Sequence, residues 1–108
     1  LLVAFQPHLF SRTRDFARDF ARALSTADVV YLTEIYAARE TPIAGVSSDL
    51  IVDELGAEHR RLAWRGDRAA LADALASDVR AGDVVITMGA GDITKTGPEL
   101  LVRLRRAA

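Results

Sequence analysis

Two short stretches of this chain carry side chains with chemistry to offer. The first is QPHLFSRTR, residues 6–14, where an apolar run stops and a histidine is followed by two arginines around Thr13. An arginine presents a planar fork that fits a carboxylate or a phosphate. Where a strand hands over to a helix, free N–H groups and the helix dipole also favour an anion. The same dipole repels a helix-start arginine, so a bound anion gives Arg12 a reason to be there, with His8 beside it. The plainer alternative is a solvated arginine and a histidine that closes a loop. The second stretch is MGAGD, residues 88–92. Gly89-Ala90-Gly91 after an apolar run permits close backbone approach to a ligand, but the third glycine of G-x-G-x-x-G is missing. A tight turn accounts for it equally well, and Asp92 reads more simply as a cap than as a ligand-orienting group.

Tyr36, Arg39 and Glu40 lie in a long segment between two apolar runs, where side chains are commonly just solvated. His59 reads as a surface residue and Trp64 as packing rather than cofactor stacking. The sequence holds no P-loop, no H-E-x-x-H pair, no nucleophile elbow and no carboxylate cluster. No catalytic residue and no metal ligand is therefore assigned in this chain.

The elements that must position these groups alternate. Residues 1–5 and 28–32 are continuous apolar runs, the mark of strands covered on both faces. From about Thr13 the period becomes helical: Phe16, Phe20 and Leu24 form one stripe, and Arg14, Arg18 and Arg22 another face where Asp15 and Asp19 can pair with arginines three residues on. Ser47 or Ser48 with Asp49 starts a short helix through Leu50, Ile51 and Leu55, closed by Gly56. Residues 60–64 form a weaker third strand. Asp67 caps a helix carrying Leu71, Leu75 and Val79, which Gly82 ends. Residues 83–88 are a fourth strand, and Gly97-Pro98 opens a last helix with Leu100, Leu101 and Leu104 inward.

This alternation predicts an α/β, Rossmann-like, doubly wound and mainly parallel sheet of about four strands with helices on both faces. In the order 3-2-1-4, the exits of strands one and four meet at the topological switch point, where open α/β sheets bind ligands. His8 and the 89–91 glycine turn would then face each other.

Composition narrows the classes. The 108 residues make one domain with a net charge of −1, which marks neither a nucleic-acid binder nor a membrane-surface protein. There is no cysteine, compatible with a reducing, cytoplasmic setting. No apolar run approaches the ~20 residues that span a bilayer. The chain opens without Met inside a strand-like run and reads as an excised piece of a larger protein.

The segments FQPHLFSRTRDF, EIYAARETPIAGVSSDLI and MGAGDI, in this order, resemble the C-terminal domain of the Mur ligase family, in its L-alanine-adding branch. The resemblance implies a Rossmann-like domain that closes over a site shared with a UDP-sugar domain and a central ATP domain, both absent here along with the domain's own opening D-Y-x-H-H-P-T-E segment. The implied reaction is ATP-dependent joining of L-alanine to UDP-N-acetylmuramate, an amide bond formed through an acyl phosphate, for peptidoglycan precursors. ATP and Mg²⁺ would be held mainly by the absent central domain, which this domain would contact, leaving it inactive alone. By resemblance, His8 and Arg12 belong to the amino-acid and muramoyl end of the cleft, and Tyr36 to the region that reads the amino acid's side chain. Ala37 and Ala38 suit a small one. The family often has Arg then Tyr after Q-P-H; Leu9 and Phe10 stand here, which puts more weight on Arg12. A related ligase that recycles murein peptides, and a non-catalytic Rossmann-like anion or nucleotide module, are the alternatives.

Overall fold

The strand at the centre of the molecule is Leu2–Phe5 (β1), four apolar residues of which Leu2, Val3 and Ala4 are buried. A computed structural model describes residues 1–56 and 62–107. β1 pairs in parallel with Val29–Thr33 (β2) on one side and Val85–Met88 (β4) on the other, and β2 pairs in parallel with Leu62–Gly66 (β3). The sheet order is β3-β2-β1-β4, as the alternation predicts. Residues 60 and 61 of the expected third strand, and His59, lie outside the described residues.

Helices cover both faces. Phe10–Leu24 (α1) and Asp49–Leu55 (α2) lie on one, around a core of Val3, Ala21, Leu24, Val30, Leu32, Ile51 and Leu55. Arg68–Asp78 (α3) and Thr96–Ala107 (α4) lie on the other, around Leu2, Ala4, Tyr31, Leu71, Leu75, Ile93 and Leu100. Trp64 packs against this second cluster. Tyr31 is wholly buried and its hydroxyl donates to Asp78 at 2.6 Å. Burial first, and that carboxylate second, push the phenol pKa up.

Several boundaries and stripes differ from the sequence expectation. α1 begins at Phe10, not near Thr13. Its buried stripe is Thr13, Ala17, Ala21 and Leu24, of which the first three are small and let the helix lie close to the sheet. Phe16 is 49% exposed, and Phe20 is half-buried against Phe5. At about 100° per residue, Phe16 lies about 100° round the helix from Ala17 in the middle of that stripe, and Phe20 lies between the two. Asp15 and Asp19 do not set up the expected ladder: Arg14 pairs with its neighbour Asp15, and Arg18 with Glu54 of α2. In α4, Leu100 is buried and Leu104 packs beside it, but Leu101 is 53% exposed, one residue round the helix.

The caps differ too. Ser48 sits at the start of α2, but its hydroxyl donates to the Thr33 carbonyl, while Asp49 N–H donates to Ser47 Oγ. Asp67 precedes α3 without a side-chain cap bond, and that helix ends at Asp78, leaving Val79 just outside it. Pro98 is the third residue of α4, still in the first turn where no intrahelical N–H is needed. A 3₁₀ turn, Asp92–Lys95, joins β4 to α4.

β4 is the last strand at its side of the sheet. Val84, Ile86 and Met88 are all more than two-fifths exposed. Ile86 stands beside Val3 and Met88 beside Phe5, so this apolar row lies on the α1 face of the sheet, at the margin of what α1 covers.

Candidate functional site

The C-terminal edge of the sheet is built outward from β1. After Phe5 come Gln6 and Pro7, both buried, and then His8. Beyond the strands proper, His8 pairs with Tyr36 as an isolated parallel bridge. Tyr36 N–H donates to the Pro7 carbonyl at 2.8 Å, and Leu9 N–H to the Tyr36 carbonyl at 2.9 Å. The two rings stack, with centroids 5.9 Å apart and planes 17° from parallel. Two of the residues singled out in the sequence are thus brought together, one from the exit of β1 and one from the long loop after β2. His8 Nδ1 is buried without a hydrogen-bond partner in the described structure.

Leu9 makes the turn into α1 with φ 69° and ψ 139°, a conformation that costs a non-glycine residue about 1–3 kcal/mol. It is held there from both sides. Its N–H goes to Tyr36, and its carbonyl accepts from Thr13 N–H at 3.2 Å and Thr13 Oγ1 at 2.9 Å.

The second wall is the exit of β4, at the switch point. Gln6 N–H donates to the Met88 carbonyl at 2.9 Å and carries the β1–β4 ladder one residue further. The chain then turns through Gly89, Ala90 and Gly91. A Cβ on Gly91 would lie 2.5 Å from Tyr36 Cγ and 2.7 Å from Gln6 Oε1, and one on Gly89 would lie 2.8 Å from Ile93 Cγ2. The close approach these glycines permit is therefore to the protein's own Tyr36, Gln6 and Ile93. Ala90 is exposed between them. Asp92 is the first residue of the 3₁₀ turn rather than its cap, and its carboxylate turns to Gln6 and Arg68.

Arg12 lies in the first turn of α1, exposed, and has no ion-pair or hydrogen-bond partner among the described residues. The α1 N-terminus itself is already served. Glu40 reaches back from the loop, accepting from Ser11 N–H at 3.0 Å and from Ser11 Oγ at 2.5 Å. These hydrogen bonds, the hydroxyl first, hold the Glu40 carboxyl below its ordinary pKa against a smaller opposing effect of burial. The anion that the helix dipole favours is thus supplied by the chain, and a ligand anion would have to rely on Arg12. Arg39 is exposed.

Gln6 is the residue that sequence reading passed over. A buried polar side chain directly after an apolar strand, at the switch point, was the available signal. No group of three or more His, Cys, Asp and Glu suited to a metal ion occurs among the described residues, and none of their helices is long and apolar enough to cross a membrane. A hollow of about 480 Å³ lies at the opposite edge of the sheet, lined in part by Leu2, Tyr31, Asp78 and Asp83. Asp78 and Asp83 are already hydrogen-bonded, to the Tyr31 hydroxyl and the Arg80 N–H.

What this edge offers is a flat aromatic pair and exposed backbone, with the Arg12 guanidinium free on the helix that follows, groups that can orient a small anion. The chain matches the family model described as Mur ligase, glutamate ligase domain, over residues 1–91. The chain belongs to the Mur ligase family. This Mur ligase domain is 50% identical over 107 residues to UDP-N-acetylmuramate–L-alanine ligase of Mycobacterium sp. (strain JLS), covering 99% of this chain and 22% of that protein. It is 49% identical over 104 residues to the ligase of the same name from Thermobifida fusca, covering 96% and 22%. The corresponding protein of Cutibacterium acnes is 50% identical over 101 residues, covering 94% and 21%. The chain spans about a fifth of the length of these curated relatives and corresponds to their C-terminal region.

Proposed function

We propose that this domain is the amino-acid end of an ATP-dependent ligase that joins L-alanine to UDP-N-acetylmuramate in the making of peptidoglycan precursors. In support, three relatives from different genera are named UDP-N-acetylmuramate–L-alanine ligase. The observation that carries the reading is the exposed Arg12, in the first turn of α1 after the His8–Tyr36 stack, whose side chain has no ion-pair or hydrogen-bond partner among the described residues. Its guanidinium takes the amino acid's carboxylate, and fixing that group aims the amine at the acyl carbon it attacks. Tyr36 forms the floor beneath the small side chain.

The described residues do not fit a magnesium–triphosphate site, since they offer neither a P-loop nor a carboxylate cluster. On this reading ATP and Mg²⁺ belong to another part of a longer cytoplasmic chain, and the 108 residues alone catalyse neither ligation nor ATP hydrolysis.

The test is Arg12→Ala in the full-length ligase. A charge-assisted, two-pronged contact shielded from water is worth roughly 2–4 kcal/mol, so apparent use of L-alanine falls about 30- to 1,000-fold. Arg12→Lys recovers part of it, because a point charge cannot reproduce the fork. Steady-state kinetics with L-alanine varied and the other substrates saturating decide the matter; unchanged KM and kcat would refute the assignment.

A further inference from the structure

Gln6 is 3% exposed, and both ends of its amide are engaged. Its Nε2 donates to Asp92 Oδ1 at 2.7 Å, and its Oε1 accepts from Ile93 N–H at 3.1 Å. The orientation is forced by chemistry: a carboxylate only accepts and a backbone N–H only donates, so a flipped amide would face like with like at both ends. Asp92 is held in turn. Arg68, on α3 with a side chain 16% exposed, places Nε 3.4 Å from Asp92 Oδ2 and donates from Nη1 to Glu99 of α4 at 2.7 Å. Arg68 Nε has no aligned hydrogen bond, so its tie to Asp92 is an ion pair alone. One buried side chain just past the central strand thereby fastens the 89–93 turn, with α3 and α4 behind it, to the strand exit that leads to His8. The glycine of that turn lies so near Tyr36 that no Cβ fits.

We propose that Gln6, with the Asp92–Arg68 pair, is a positioning residue that sets the spacing between the Tyr36 wall and the glycine turn, and hence where a bound amino acid sits. The proposal rests on the assignment of this edge to the amino acid. Gln6 touches no substrate and acts through Gly91 and Tyr36.

The experiment uses the full-length ligase and three variants. Gln6→Glu keeps the shape but removes the donor and sets a second carboxylate against Asp92. Gln6→Glu combined with Asp92→Asn reverses the direction of that hydrogen bond, keeps the Ile93 bond and preserves the total charge. Gln6→Met keeps the length of the side chain but removes both of its hydrogen bonds. A misplaced binding wall costs about tenfold or more, so Gln6→Glu should raise KM for L-alanine by that factor, leave KM for ATP unchanged, and be largely rescued by the double exchange. A merely structural role would instead lower the thermal midpoint and the active fraction, seen as kcat, without moving that KM. That result, or an L-alanine KM within twofold of the parent's, overturns the proposal, as does failure of the double exchange to recover it. If Gln6→Glu does not fold, Gln6→Met must raise the same KM, and an unchanged value overturns the proposal. Arg12→Ala in the same assay separates the two claims. Loss with Arg12→Ala but none with the Gln6 variants sinks only the positioning role, whereas no loss with Arg12→Ala sinks the amino-acid site and this inference with it.

Discussion

Leu9 occupies a backbone conformation that suits glycine, and it does so because three hydrogen bonds from Tyr36 and Thr13 leave it no other. Relieving that conformation gains about 1–3 kcal/mol, while the added freedom of a glycine in the unfolded chain costs about 0.5–1 kcal/mol. Leu9→Gly is therefore expected to stabilise the domain by about 1 kcal/mol, read as a higher urea midpoint at unchanged slope. A midpoint that falls by as much would mean that Leu9's packing outweighs its strain. Nothing in the sequence marks this position, because leucine carries no signal for positive φ. Gly91 is the opposite case. A residue without a side chain was legible there, but what crowds it was not: Tyr36 arrives from a loop more than fifty positions away.

At the scale of elements, the start of α1 shows why local reading misplaced a boundary. A helix is recognised by a cap close in sequence, and here the capping carboxylate is Glu40, from the loop after β2. The apolar spacing of α1 misled for a related reason: alanines, not phenylalanines, face the sheet. Both α1 and its partner loop depend on one titratable group. The folded pKa of Glu40 is lowered, so its tie to Ser11 contributes above the ordinary carboxylate pKa and is lost as pH falls through the lowered value. The Ser11 amide chemical shift should titrate with a midpoint below about 4.3, the value for an unperturbed glutamate, and stay flat in Glu40→Gln. A midpoint at or above that value would remove Glu40 from this role.

For the molecule as a whole, strand count, order and two-sided cover were legible because strict alternation of strands and helices leaves few right-handed arrangements. So was the meeting of the β1 and β4 exits, which follows from that order. The apolar row Val84, Ile86 and Met88 stands partly bare, and next to it a cavity of about 150 Å³ opens between Met88, Phe5 and Phe20. Apolar surface of this kind on an edge strand invites pairing with another copy. The 108-residue chain should gain mass with concentration in light scattering, and Ile86→Lys with Met88→Lys should restore a monomer. A monomer at high concentration without those changes would count against it.

The contact between Gly91, Tyr36 and Gln6 also bears on protein engineering. On the proposed reading, residue 36 is the natural one to randomise when seeking acceptance of a different amino acid. It cannot be varied in isolation. Its ring fills the space that the missing side chain at 91 leaves open, and that same space borders the amide at 6. A smaller residue at 36 would leave a gap against the glycine, and a branched one would push the turn away. A library that randomises 36, 91 and 6 together would hold combinations that no path of single exchanges reaches without passing through a badly packed intermediate.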